Sequence, residues 1–173
     1  MNIKIFAHQV IYFCIGLLII FFQILPLQTI PQTWSGPNVL LVFFAAIVSK
    51  RPEFTSSFLI GSIFLIEDFF LMRPPGLMSS LTVLGFFFLK RKFQNQEVNS
   101  FILGWGSVTT CLTIILLLYY FISLLLFIPS AGLKLTLMEL MVTLALYPIF
   151  SILIGSFDKL NLTDAEKKIY YGR

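Results

Sequence analysis

Apolar positions along this chain fall into six long runs, separated by stretches rich in Pro, Gly or charge. A helix crossing about 30 Å of hydrocarbon needs roughly 20 apolar residues, so each run is a candidate span. The first extends from about Val10 to Leu25 and stops at Pro26. The second covers about Asn38 to Ser49, the third Phe54 to Met72, and the fourth Leu77 to Leu89. The fifth, Phe101 to Phe127, is long enough to require tilt, and the sixth covers about Leu137 to Phe157. Between them lie LPLQTIPQTWSGPN, SKRPEF, MRPPG, KRKFQNQEVN and IPSAGLK. The second and fourth runs are short for an upright crossing at 1.5 Å per residue. Each is readable either as a full span or as a partly re-entrant element shielded by its neighbours. The pattern predicts an all-α integral membrane protein of about six transmembrane helices, forming one domain over residues 1–157. The tail, 158–173, holds Thr163-Asp164-Ala165-Glu166, which fits a capping box opening a short surface helix.

Composition agrees with that pattern. The chain is 58% hydrophobic and 12% charged, with 20 Phe and a mean hydropathy of +0.93. A soluble domain has about 25% charged residues. The net charge of +4 has a topological explanation. Lys4, Lys50, Arg51, Lys90, Arg91, Lys92, Lys159, Lys167, Lys168 and Arg173 fall on one side of the six spans. Only Arg73 and Lys134 fall on the other. Basic residues accumulate on the cytoplasmic side, so both termini are expected there and no nucleic-acid partner is implied. The first run lacks an A-x-A-like cleavage pattern and is expected to be retained.

Against this background two adjacent acids stand out, Glu67 and Asp68 within GSIFLIEDFFLMRPPGL (61–77). Asp68 lies about 21 Å along the third span, near the outer side, at the helical rise. Ser57, Gly61, Phe64 and Asp68 share one helical face, and small residues mark close helix packing in membranes, so Asp68 is expected to face the bundle. Glu67 shares a face with Ile60 and Ile63 and is expected nearer to headgroups. An acid at membrane depth costs about 2.5–3.5 kcal/mol on insertion scales and is a functional candidate by default. Two readings of Asp68 stand side by side. One is structural, with pairing to Arg73, hydrogen bonds from the Pro74–Leu77 turn, or protonation. The other is a site for a partner helix, a headgroup or a solute. Gln23, Asn38, Arg73 and Glu139 fall at similar depth and are candidates for one outer polar cluster. Asn38 also suits a helix start, and Thr136-Leu137-Met138-Glu139 fits a capping box.

Catalytic chemistry finds little support. With one His, His8, no His cluster can hold zinc, and P-loop, GxSxG and HExxH patterns are missing. Cys14 and Cys111 lie in apolar runs and read as buried free thiols. No enzyme activity, metal or cofactor is expected. Pro75 and Gly76 mark a turn, and Pro148, after Tyr147, marks a kink or a freed carbonyl. Lys90-Arg91-Lys92 reads as a topology anchor, with anionic lipid as the alternative.

Three segments, taken in order, resemble the MreD family of the bacterial rod-shape machinery. FFQILPL (21–27) resembles the end of that family's first span. GPNVLLVFFAAIVSKRPEFTSSFLIG (36–61) resembles its Pro-Asp/Asn-x-x-Leu segment, basic turn and glycine. EDFFLMRPPGL (67–77) resembles its Gly-x6-Asp followed by a Pro-Leu-Gly-like turn, here Gly61, Asp68, Pro75, Gly76 and Leu77. PPG in place of the usual turn and the extra Glu67 are departures. The resemblance implies a non-enzymatic scaffold in the bacterial cytoplasmic membrane, part of the elongation complex that builds peptidoglycan. Its partners would be MreC directly, and MreB filaments, the glycosyltransferase RodA and the elongation-specific penicillin-binding transpeptidase directly or through MreC, together with membrane lipid. Family members are also similar in fold to the substrate-binding components of energy-coupling-factor transporters.

Two functions are therefore expected to compete. In the first, Ser57, Gly61, Asp68, Glu67, Gln23, Asn38 and Arg73 receive MreC's span or its juxtamembrane segment. In the second, Asp68, Glu67, Gln23 and Asn38 line an outward-facing cavity for a solute. A solute pocket needs several convergent polar groups, and the sequence supplies few.

Overall fold

The computed structural model describes residues 3–25, 36–95, 101–128 and 132–171, and side chains within 5–25, 36–94, 104–128 and 132–155. Among the described residues all regular structure is helical. Six α-helices follow in order: α1 (Ile3–Ile24), α2 (Val39–Lys50), α3 (Ser57–Phe70), α4 (Leu77–Asn95), α5 (Phe101–Leu125) and α6 (Leu133–Tyr171). A single 3₁₀ turn, Pro52–Phe54, links α2 to α3. Among the described residues three helices contain stretches long and apolar enough to cross a bilayer: Ile5–Ile24, Gly104–Leu125 and Leu133–Gly155. The outer face is rich in exposed Phe, Leu and Ile, including Phe58, Phe69, Phe121, Leu125 and Ile152. Such a surface suits an α-helical membrane protein, because hydrocarbon imposes no penalty on it.

The local chemistry explains the helix ends. Asn38 Oδ1 accepts the Leu41 N–H at 3.1 Å and starts α2, as expected of that residue. Pro52 then disfavours helical backbone at Arg51, and α2 stops at Lys50. Ser56 Oγ accepts the Phe58 N–H and starts α3. The α6 helix begins earlier than the sequence suggests. The Gly132 carbonyl accepts from Leu135 and Thr136, so Thr136 and Glu139 lie inside the helix and no capping box opens there. The same helix passes through Pro148 and on to Tyr171. The Thr163 box consequently lies within α6 instead of at the head of a separate surface helix.

Packing places α2 at the centre. Successive neighbours α1, α3, α4, α5 and α6 form an arc around it, with α6 its most extensive partner. All nine residues from Leu40 to Val48 are buried. At 1.5 Å per residue α2 is only about 18 Å long, and protein rather than lipid meets its sides. An aromatic ladder runs through the core, with Phe44–Phe64 centroids 5.8 Å apart and Phe64–Phe86 6.2 Å apart. Tyr147 Oη and Ser49 Oγ, 2.9 Å apart, join α6 to α2.

At the basic end, Lys90 Nζ donates to the Thr55 carbonyl. The His8 ring stacks on Phe54 at 4.6 Å, and the Arg51 guanidinium lies 5.3 Å from the same ring's centroid. These contacts fasten α1 and α4 to the α2–α3 connection.

Candidate functional site

The acids singled out in the sequence sit where α3 gives way to α4. The end of α3 is a paired-hydrogen-bond cap, in which Met72 N–H donates to the Phe69 carbonyl at 3.3 Å and Arg73 N–H to the Asp68 carbonyl at 3.0 Å. That geometry requires left-handed backbone at Met72, whose φ is 51°. Pro74 and Pro75 carry no N–H and prevent helix continuation. Gly76, with φ of 90°, turns the chain where a side chain would be strained. Leu77 N–H then donates to the Pro74 carbonyl at 3.2 Å, and α4 begins.

Asp68 closes this turn. Its Oδ2 accepts the N–H groups of Gly76 at 3.0 Å and Ser79 at 3.2 Å. A carboxylate on α3 thus does for α4 what a capping residue ordinarily does from within the same helix. The positive end of the α4 dipole favours a negative charge at that position. Asp68 is fully buried, facing the bundle as expected, and its Oδ1 has no hydrogen-bond partner among the described residues.

Gly61 lies on the same face, and a Cβ placed there would stand 3.3 Å from Val83 Cγ2 on α4. The face expected to receive a partner helix is therefore covered by the chain's own α4 at Gly61, Phe64 and Asp68. Only Ser57, at the first turn, remains exposed.

Glu67 departs most from expectation. It is completely buried rather than near headgroups, and both carboxylate oxygens lack hydrogen-bond partners among the described residues. Its face, with Ile60 and Ile63, turns toward α1, where a Cβ at Gly16 would meet Ile63 Cγ1 at 2.9 Å. Helical spacing identifies the face correctly, but spacing alone does not reveal what covers it. The charged side chains acting on Glu67 are Arg73, Asp68 and Glu139.

The outer polar cluster is only partly assembled. The Arg73 guanidinium lies 5.8 Å from the Tyr119 ring centroid. Arg73 and Glu139 line one pocket of about 240 Å³ together with Tyr119, Tyr120 and Thr136. Asn38 joins this end of α6 through its backbone, donating N–H to Thr143 Oγ1 at 3.2 Å. Thr143 in turn donates to the Glu139 carbonyl. Gln23 lies on α1, its Oε1 enclosed without a hydrogen-bond partner among the described residues. Of the four residues expected to line a solute cavity, Asp68, Glu67, Gln23 and Asn38, none lines this pocket.

Sequence reasoning missed Ser79, Thr143 and Tyr119. A hydroxyl in an apolar run was the available signal for Thr143, and nothing in the sequence paired it with Asn38. Among the described residues no group of His, Cys, Asp or Glu is arranged to hold a metal ion. No protein-family model, curated protein or solved structure matches the chain.

Proposed function

We propose that this chain is a non-enzymatic membrane scaffold of the MreD kind, which binds MreC and links peptidoglycan synthesis to MreB filaments. RodA and the elongation-specific penicillin-binding transpeptidase are engaged directly or through MreC. In this reading all six helices cross the bacterial cytoplasmic membrane, with both termini in the cytoplasm and the short α2 shielded by its neighbours.

One observation carries the proposal. The Gly61, Asp68 and Gly76 positions, on which one of the three resembling segments rests, serve to fasten α3 to α4. A motif used for fixing helices suits a rigid frame that presents its exterior to partners. It suits a solute receptor less well, because Asp68 and Glu67 are buried and outside the pocket at that end. The contact surface for MreC is then the exposed apolar exterior together with the segments flanking the outer helix ends.

Co-purification of the tagged protein from native membranes in mild detergent tests this. Recovery of a single-span MreC-like protein in near-equal amount is the expected outcome. Recovery of an ATPase-containing transporter module, or of a bound small molecule without MreC, would overturn it.

A further inference from the structure

A recess lies away from the acids, on the exterior between α4 and α5. It has a volume of about 740 Å³. One wall is the α4 row Leu81, Gly85, Phe88 and Lys92, at spacings of four, three and four. The other is the α5 row Gly106, Thr110, Ile114 and Leu118, spaced by fours. The helices touch at Gly85, where an added Cβ would stand 2.6 Å from Ile115 Cδ1. Gly106 is open, with nothing within 4 Å of an added Cβ.

The chemistry of these walls is asymmetric. They are apolar along their length, and the Thr110 hydroxyl is bonded to the Gly106 carbonyl at 2.8 Å. Among the described residues the charged group lining the recess is Lys92, at one end. Within Lys90-Arg91-Lys92, Lys90 turns inward to the Thr55 carbonyl, while Arg91 and Lys92 are exposed. An apolar trough with a cationic mouth complements an amphiphile with an anionic head.

Dimensions narrow the choice further. From Leu81 to Lys92 the trough is about 17 Å long at 1.5 Å per residue. That is close to one leaflet, half of about 30 Å.

We infer that the α4–α5 groove holds one acyl chain of an anionic phospholipid whose phosphate rests on Lys92. The inference does not depend on the scaffold reading.

Native mass spectrometry of the delipidated full chain tests it, with phosphatidylglycerol and phosphatidylcholine as probes. The wild type is expected to take one phosphatidylglycerol with about fivefold preference over phosphatidylcholine, whose phosphate is neutralised by its own choline, since one lysine at an anionic headgroup contributes about 1 kcal/mol. Lys92→Gln is expected to erase that preference while retaining lipid. Gly106→Leu and, independently, Thr110→Leu fill the trough and are expected to abolish the one-lipid adduct. Thermal transitions in detergent are the check that each variant folds. Equal binding of the two lipids by the wild type would overturn the proposal, as would preference retained in Lys92→Gln. It would also fall if the adduct persisted in either filled variant that folds, or if a two-chain species replaced the lipid adduct.

Discussion

Asp68→Ala tests whether the acid is an architectural part of the α3–α4 turn. Its Oδ2 accepts two backbone N–H groups, from Gly76 and Ser79. Both belong to the set of donors that a helix start leaves without intrahelical partners. Ser79 is buried, so water is poorly placed to replace the lost acceptor. Loss of a capping group costs about 0.5–2 kcal/mol, and a buried unsatisfied donor about 1–3 kcal/mol. These overlap for Ser79, and Gly76 is only half-buried. Removing the unpartnered Oδ1 offsets part of the loss. The net expectation is about 2–3 kcal/mol of destabilisation. Asp68→Asn keeps one acceptor oxygen and is expected to cost about 1 kcal/mol, the difference between a charged and a neutral acceptor. Unfolding in mixed detergent micelles, followed by helical circular dichroism, measures both. The reasoning fails if Asp68→Ala lies within about 0.5 kcal/mol of wild type, the scatter of ordinary surface substitutions. It also fails if Asn is as damaging as Ala, because the loss would then follow charge instead of acceptor geometry.

Met72 adopts left-handed backbone with its side chain 95% exposed. Met72→Gly is therefore expected to stabilise by about 1 kcal/mol in the same assay, and a loss would show that the side chain is needed for packing. Phe127 ends α5 in the same way, with φ of 54°, and Phe127→Gly should behave alike. Glu67→Met replaces a buried carboxyl lacking hydrogen-bond partners among the described residues with an apolar group of similar length. It is expected to be neutral or stabilising, and a loss above about 2 kcal/mol would mean that the carboxyl has a partner of its own. Gly85→Ala brings a Cβ to 2.6 Å from Ile115 Cδ1. The resulting overpacking is expected to cost about 1–3 kcal/mol, relieved by adding Ile115→Val, and additive double-mutant behaviour would refute the contact.

Much of this architecture was legible in the apolar runs because each is bounded by residues with a local mechanism. Asn38 caps α2 as its side chain allows, Pro52 ends it, and the Pro-Pro-Gly sequence forces a turn before Leu77. The reading that Asp68 takes hydrogen bonds from the adjoining turn needed only local spacing, and the structure extends it to Ser79. Two features needed tertiary information. Glu67 is buried by the packing of other helices around α3. The link between Asn38 and Thr143 joins residues 105 positions apart. The start of α6 differs for a local reason, because the Gly132 carbonyl takes the N–H groups of Leu135 and Thr136. In a chain whose helices are apolar on nearly every side, periodicity separates faces without saying which face meets protein.

That ambiguity is sharpest at the centre of the fold. By composition α2 resembles a lipid-facing span, yet it is about 18 Å long and could not alone satisfy a 30 Å hydrocarbon layer. Its polar ends therefore need protein. One end has Asn38, bonded to Leu41 and to Thr143 on α6. The other has Ser49, paired with Tyr147 on the same helix. At these two levels α6 is hydrogen-bonded to α2, by the Thr143 hydroxyl on a backbone N–H and by a Ser–Tyr hydroxyl pair. In lipid the helices gain little from burying apolar surface, so association rests on close packing and such bonds. The Asp68 turn adds a third fixed point by joining α3 to α4, the helix that packs on both α2 and α5. A core held at these points leaves the exteriors of α1, α3, α4, α5 and α6 available to lipid and to other proteins. On this physical ground Asp68 is better understood as a part of the frame than as the surface the frame presents.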